Sequence, residues 1–406
     1  MPKSTTFIAN QQRIFNISKE NNNNFQSLVN LFLVENNQHR SFSCLDQTIR
    51  RLDFDFYNDL LPIIAKWASD HTQIKSIEPL QAGQTSSVTY TAAQARYILA
   101  NAFFLNTKPG YGNLDLNELY NSLSNDLAIE RIRCLIEYFR LSSMQNDDRL
   151  ISIERYTYGH ELPDWSKQKK LIESSKIHIT TNRMEDVSEA QGFVDFANRS
   201  IHIHRIIPSA TQEEVLFSCC PEAFLSILVC DTLRDDEIVI LRGCKRFIDY
   251  GGYGDTFYYK GHYHEQNPTY IQDILILDAC YSDHFSRKNI DRDLGKALAA
   301  FEKSKDEIIV TGKWGCGVFG GDLIFKFLQQ ICATMLVENH LKRLNYSVRD
   351  KENLAKKLKN TLNKLELNKQ TVADVYRMMT NYSQNNNKHD NHQEFSDYCE
   401  TWLNSL

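Results

Sequence analysis

Glu213 and Glu214 stand side by side in TQEEVLF, just ahead of an apolar run with helical spacing. Carboxylates at a helix start are favoured by the partial positive charge of the helix N-terminus. Successive helical residues point about 100° apart, so one carboxylate can face a cleft while its neighbour takes a structural partner. A glutamate pressed into a ligand cleft has its pKa raised and can hand a proton to a leaving oxygen. Asp195 in FVDFANRS ends a predicted strand. Asn198 follows with an amide able to read a hydroxyl or a base.

Two glycine clusters could hold a ligand near these groups. In IIVTGKWGCGVFGGDLIFKFL, glycines 312, 315, 317, 320 and 321 lie between a predicted strand ending at Thr311 and a helix opening at Asp322. Glycine lets the backbone approach a phosphate and aim successive N–H groups at it, and the helix N-terminus adds positive potential. The pattern is neither a Walker A motif nor a GxGxxG fingerprint. Trp314 and Phe319 in this loop are expected against a sugar or base. In DYGGYGDTFYYKGHY, Gly251, Gly252 and Gly254 surround Tyr253. That segment reads as a hairpin turn or as a tyrosine-bearing loop beside a ligand. His202 and His204 in SIHIHRII alternate with isoleucine as a strand would, and His262 and His264 repeat the spacing. Neither pair has a convincing third ligand, so no metal and no cofactor are expected.

The elements that must position these groups change character along the chain. Residues 1–45 read as a polar N-terminal extension. From 46 to 150, LPIIAKWA, ARYILANAFF and LAIERIRCLIEYF carry helical periodicity, which predicts an all-helical unit. From 151 to 350 short β-branched runs (LISIERY, KIHITTN, FVDFAN, EIVILRG, DILILDA, EIIVTG) alternate with helical patterns. This predicts an α/β domain, a mixed or parallel sheet covered by helices on both faces. Residues 351–406 read as a helical tail with leucines at 354, 358, 362 and 365. The net charge of −5 argues against a broad basic surface and so against non-specific or direct sequence-specific nucleic-acid binding. No apolar run is long enough for a membrane span, and the first residues lack a secretory signal pattern. Ten cysteines without a CxxC pair point to a reducing, intracellular compartment. Cytoplasm, nucleus and a cytoplasmic organelle such as the cilium all remain open.

In this order the segments resemble the poly(ADP-ribose) glycohydrolase family over about residues 50–350. LPIIAKWA and ARYILANAFF are similar to its helical accessory domain. LPDWSKQKKLI and VDFANRSI are similar to the lead-in to its catalytic loop. TQEEVLF, YGGYGDTF and VTGKWGCGVFGGDLIFKFLQQ are similar to its QEE element, tyrosine loop and TGNWGCGAFGGD segment. The resemblance implies a macrodomain-like mixed sheet preceded by a helical domain. It implies hydrolysis of ribose–ribose O-glycosidic bonds in poly(ADP-ribose), releasing ADP-ribose without a metal. Glu214 then matches the catalytic acid, and Glu213 and Asp195 match the carboxylates beside it. Asn198, Tyr253, Phe319 and the loop residues Gly315, Cys316, Gly317 and Val318 match ligand-binding positions. The implied chemistry is that of a glycosidase: a glutamic acid protonates the leaving ribose oxygen, and the resulting carboxylate activates water.

The sequence departs from the family at one conspicuous place. Where the family carries a GGG triplet whose backbone wraps the diphosphate, this chain has His202-Ile203-His204 followed by Arg205. The histidines read as the exposed face of an extended segment, as side chains partly filling the diphosphate site, or as donors to phosphate. Lys313 replaces an asparagine, and LNYSVRD only loosely follows the family's YFTFGD. Three readings follow: an active glycohydrolase, an ADP-ribose-binding module of reduced or lost activity, or a pseudoenzyme scaffold with protein assembly partners.

Overall fold

The computed structural model describes residues 3–17, 24–30, 32, 41–122, 125–159, 162–263, 271–386 and 394–406. His264 lies outside them. The first part of the chain is helical: α1 (Lys3–Ile17), α2 (Phe25–Val29), α3 (Ser43–Arg50), α4 (Leu61–Ala68), α5 (Ala92–Phe103), α6 (Asn117–Asn121) and α7 (Asp126–Ser143). The residues read as a polar extension include α1, which packs on α4. Ile14 and Gln11 are buried there, and Gln11 donates to the Ala68 carbonyl and the Tyr97 hydroxyl, both at 2.7 Å. Capping starts the longer helices: Thr91 and Gln94 exchange hydrogen bonds in a capping box at α5, and Asn125 accepts from the Ala128 N–H at α7.

The sheet begins inside this helical region with β1 (Ser86–Thr91). It continues through β2 (Leu150–Thr157), β3 (Ile177–Thr180), β4 (Gly192–Ala197) and β5 (Glu237–Lys245). A separate hairpin of β6 (Ile248–Gly251) and β7 (Tyr258–His262) follows, then β8 (Ile271–Asp278), β9 (Ile308–Thr311) and β10 (Arg343–Ser347). The main sheet has the order β1-β2-β5-β8-β4-β9-β10-β3. The five strands from β8 to β3 are mutually parallel, and β5, β2 and β1 add antiparallel steps. Period-2 alternation splits the core into two. Val239, Leu241, Ile274 and Ile276 face a cluster with the N-terminal helices, α8 (Gln212–Cys219) and α9 (Leu225–Val229). Ile238, Ile240, Leu275 and Leu277 face a second cluster with α10 (Arg287–Ser304), α11 (Leu323–Leu336), α12 (Glu352–Leu367), α13 (Val372–Asn386) and α14 (Phe395–Asn404). The expected mixed sheet with helices on both faces is therefore present. The periodic leucines of α12 are its inner stripe: Leu358, Leu362 and Leu365 are buried. The parallel strands all end at one edge, where open α/β sheets place their ligand sites.

Candidate active site

The site is built where β4 and β9 part. β4 pairs with β8 along its whole length, but with β9 only at Gly192–Ile309 and Phe193–Val310. Past that point the free edge of β4 needs partners, because unpaired backbone groups are costly when buried. The Gln212 side chain supplies them: its Oε1 accepts the Phe196 N–H (2.7 Å) and its Nε2 donates to the Val194 carbonyl (3.0 Å). This pins the first turn of α8 to the end of β4 and brings Asp195, Glu213 and Glu214 together.

The two glutamates divide their work. Glu213 accepts the backbone N–H of His202 (2.7 Å) and of Asn198 (3.3 Å), bracing the loop between β4 and α8. Glu214 caps its own helix: the Thr211 N–H (2.9 Å) and hydroxyl both donate to Oε2. Both are almost fully buried, and Asp195 is completely so, with neither carboxyl oxygen hydrogen-bonded to another described group. Burial, reinforced by Glu214, pushes Asp195 well above the usual carboxylate range. Burial, Asp195 and Glu214 do the same to Glu213 against its two amide bonds. For Glu214, burial is outweighed by His202, the Thr211 hydrogen bonds and the Arg131 guanidinium, so its carboxyl lies below its ordinary value. The expected raised pKa thus falls on the two carboxyls beside Glu214, because His202, Thr211 and Arg131 favour charge on Glu214 itself.

The loop before α8 overturns the strand-like reading of SIHIHRII. Ile201–His204 form a tight 3-10 turn, and His202, Ile203 and His204 have φ of +52°, +49° and +56°. Three successive non-glycine residues thus occupy the left-handed region. Nor is His202 on an exposed face: it is completely buried. Its ring packs 5.2 Å from Phe217 and 5.4 Å from Phe224, with Nδ1 2.7 Å from the Arg205 carbonyl and Nε2 3.3 Å from Arg131 Nη2. Arg131 can only donate, so His202 accepts at Nε2 and donates from Nδ1. Burial and then Arg131 push its pKa down to about 4, leaving it neutral at pH 7. Both ring nitrogens are engaged, so His202 is not free to ligate a metal. Among the described residues no group of three or more His, Cys, Asp or Glu is arranged to hold one. The other limb of the turn is fastened at His204, whose carbonyl accepts the Asn113 N–H (3.0 Å).

Arg131 is the residue that motif reading missed. From α7 it donates to Ser218 Oγ and the Ser209 carbonyl (both 3.1 Å) and to the Ile207 carbonyl, besides meeting His202. One side chain of the helical region thereby holds the turn and α8. Its only signal in the sequence is a charge within the stripe Leu127, Leu135 and Tyr138, all buried.

The second loop follows β9. Gly315 adopts φ +73°, and a Cβ there would stand 2.6 Å from that of Ala279. The turn is closed by Cys316 N–H to the Lys313 carbonyl (3.0 Å), Gly320 N–H to Gly317 (3.0 Å) and Gly321 N–H to Gly315 (2.9 Å). The N–H groups of Gly317, Val318 and Phe319 have no acceptor among the described residues. Gly317 and Val318 are exposed, and nothing lies within 4 Å of a Cβ built on Gly317. Burial pushes the Cys316 thiol up to about 12, so it is no nucleophile at neutral pH. Trp314 does not reach a ligand. It is buried beneath the loop, donating from Nε1 to the Leu277 carbonyl (2.9 Å), with Lys326 Nζ 5.3 Å from its ring centre. Phe319 is partly exposed and meets the exposed Tyr281, ring centres 5.5 Å apart.

Tyr253 lies between β6 and β7 and is about half exposed. The neighbouring Gly254 N–H donates to the Ala210 carbonyl (3.0 Å), tying this loop to the one before α8. Burial and Glu214 raise the Tyr253 hydroxyl, against Arg349 and a hydrogen bond with the Gln212 backbone. Asn198 turns inward on its own loop, its Oδ1 accepting the Ser200 N–H (3.0 Å).

Two family models match this chain: the helical domain of poly(ADP-ribose) glycohydrolase over residues 51–155, and its catalytic domain of macro domain fold over 162–356. The chain belongs to the poly(ADP-ribose) glycohydrolase family. It is 25% identical over 330 residues to poly(ADP-ribose) glycohydrolase 1 of Caenorhabditis elegans, covering 74% of this chain and 41% of that protein. It is 24% identical over 278 residues to poly(ADP-ribose) glycohydrolase 2 of the same organism, covering 62% and 56%. The chain thus spans about half the length of the curated relatives it matches. Among solved structures, the poly(ADP-ribose) glycohydrolase of Deinococcus radiodurans in complex with ADP-ribose is similar at 14% identity and a TM-score of 0.32. That match covers 53% of this chain and 94% of the other.

Proposed function

We propose that this protein binds ADP-ribose units at the ends of β4 and β9 and hydrolyses the ribose–ribose O-glycosidic bond of poly(ADP-ribose), with Glu214 as acid and base. One observation carries the reading: His202, Ile203 and His204, where the resemblance implies GGG, are all left-handed, with His202 buried in the core. The backbone there occupies a region that glycine adopts readily. The free N–H groups of Gly317, Val318 and Phe319 supply a cradle for the diphosphate. Tyr253 and Phe319 supply aromatic walls.

The proton inventory supports acid–base chemistry. Burial pushes Asp195 and Glu213 toward their protonated forms, while Glu214 is held toward its carboxylate by His202, Thr211 and Arg131. An arriving diphosphate is an anion and raises Glu214. Once protonated, Glu214 donates to the leaving ribose oxygen, the anomeric carbon takes up oxocarbenium character, and the carboxylate then deprotonates the attacking water. Glu213 holds the loop through its two amide bonds and is read as a positioning residue.

The second reading is an ADP-ribose-binding module that turns over slowly, and it too has an observation behind it. The Thr211 bonds hold Glu214 as a carboxylate at rest. An assay of ADP-ribose release from polymer separates the two: release that vanishes in Glu214→Gln supports the enzyme, and binding without release supports the module. The ten unpaired cysteines support a reducing, intracellular compartment.

A further inference from the structure

At the β10 side of the site, Lys313 and LNYSVRD depart from the segments that the resemblance implies. β9 and β10 run parallel with Thr311 opposite Tyr346, so both strands release their chains at the same edge. Lys313 follows shortly after Thr311, and Arg349 and Lys351 after Tyr346. The two exits touch: a Cβ on Gly312 would stand 2.7 Å from the Ser347 carbonyl.

Arg349 sits in left-handed backbone (φ +40°) and sends its side chain across to the tyrosine loop. It donates from Nη2 to the Gly252 carbonyl at 2.7 Å, and its guanidinium stands 5.2 Å from the Tyr253 ring centre. None of the three cations makes an ion pair among the described residues. The flanking carboxylates, Asp350 and Glu352, are exposed and pair with none of them. The cations act on one another: burial, then Lys351, lowers the Lys313 amine, and Arg349 adds to this against Cys316 and Asp350. Three like charges with no carboxylate paired to them hold a place for an anion.

That place adjoins the glycine cradle at Lys313 but draws Arg349 and Lys351 from beyond the end of β10. Around the cradle, Gly315 abuts Ala279, which follows β8, and Gly321 abuts Lys326 of α11 and His284, which precedes α10. The sheet order β8-β4-β9-β10 puts the chain that carries Arg349 and Lys351 on the other flank of β9. We propose that Lys313, Arg349 and Lys351 form a second anion subsite, which takes a phosphate group that the ligand carries beyond its central diphosphate. The inference rests on the proposed ADP-ribose site. Such a phosphate can come from the next unit of an ADP-ribose chain or from a phosphate ester on a single unit.

The test measures affinities for ADP-ribose, ADP-ribose 2′-phosphate and a three-unit ADP-ribose oligomer at two salt concentrations. The Glu214→Gln background keeps the oligomer intact. One of the two phosphate-bearing ligands is expected to bind about three- to tenfold tighter than ADP-ribose at low salt and less so at high salt, as screened surface charges should. Which ligand gains identifies the source. In the Lys313→Asn/Lys351→Ala double variant the ratio should fall toward one, with thermal unfolding used to confirm that the variant is folded. A ratio of one in the unsubstituted cluster, or a ratio that survives the double substitution, overturns the subsite while leaving ADP-ribose binding in place. Failure of ADP-ribose itself to bind would instead overturn the proposed function.

Discussion

The left-handed turn makes a quantitative claim about neighbouring positions. His202 and Ile203 have the same backbone strain, φ +52° and +49°, but only His202 is anchored in the core. Left-handed backbone costs an L-residue about 1–2 kcal/mol, and glycine removes that cost while losing about 0.5–1 kcal/mol through the unfolded chain. Ile203→Gly should therefore be neutral or stabilising by up to about 1 kcal/mol. His202→Gly gains the same relief. It also loses two hydrogen bonds at about 1 kcal/mol each and leaves a gap between Phe217 and Phe224, a truncation of about 2–4 kcal/mol in all. The net loss is about 2 kcal/mol. With an unfolding entropy of about 2.1 cal/mol/K per residue, a chain of 406 residues has about 0.85 kcal/mol/K, so Tm falls by about 2–3 °C. The assay is thermal unfolding of both variants beside the unsubstituted protein. Equal shifts would refute the anchor. A drop in Tm for Ile203→Gly as large as that for His202→Gly would refute the strained turn as well.

Three further outcomes are expected. Arg131→Met leaves the Ile207 and Ser209 carbonyls, Ser218 and His202 without their shared donor, and should cost about 2–4 kcal/mol of stability and weaken ADP-ribose binding, read by thermal unfolding and titration. A Cβ on Gly317 has no protein atom within 4 Å and the position is exposed, so in Gly317→Trp Tm should hold while ADP-ribose affinity is lost; Gly315→Ala, with φ +73° and Ala279 in the way, should instead lower Tm. The His202 pKa is depressed from 6.5 to about 4 on folding. Its contribution is therefore complete above pH 6.5 and lost as pH falls toward 4, at about 1.4 kcal/mol per unit. Tm followed from pH 7 to 4.5 should fall more steeply in the unsubstituted protein than in His202→Asn, and identical slopes would contradict the assignment.

How much was legible in the sequence varies with the range of the forces involved. The strands were plain in LISIERY, EIVILRG and DILILDA, because burial on both faces demands continuous apolar runs. The QEE element and both glycine loops were visible for a similar reason: each is local, a helix start or a turn. The histidine turn was not, since an Ile-His-Ile-His alternation looks like an edge strand. Its conformation is decided by Phe217, Phe224 and Arg131, and Arg131 lies 71 residues away in sequence. Trp314 was misjudged because a loop position suggests exposure, while the carbonyl that it binds comes from β8. The lowered pKa of Glu214 depends on His202, Thr211 and Arg131 acting together, and only Thr211 is its close sequence neighbour.

The most direct test of the account is the amount of ADP-ribose that the purified protein releases from poly(ADP-ribose), measured beside Glu214→Gln. Glutamine can keep the Thr211 contact but cannot pass a proton. The account predicts release by the unsubstituted protein, a loss of at least about 100-fold in the variant as for removal of a general acid, and ADP-ribose binding by both. Binding without release in the unsubstituted protein would contradict the catalytic assignment.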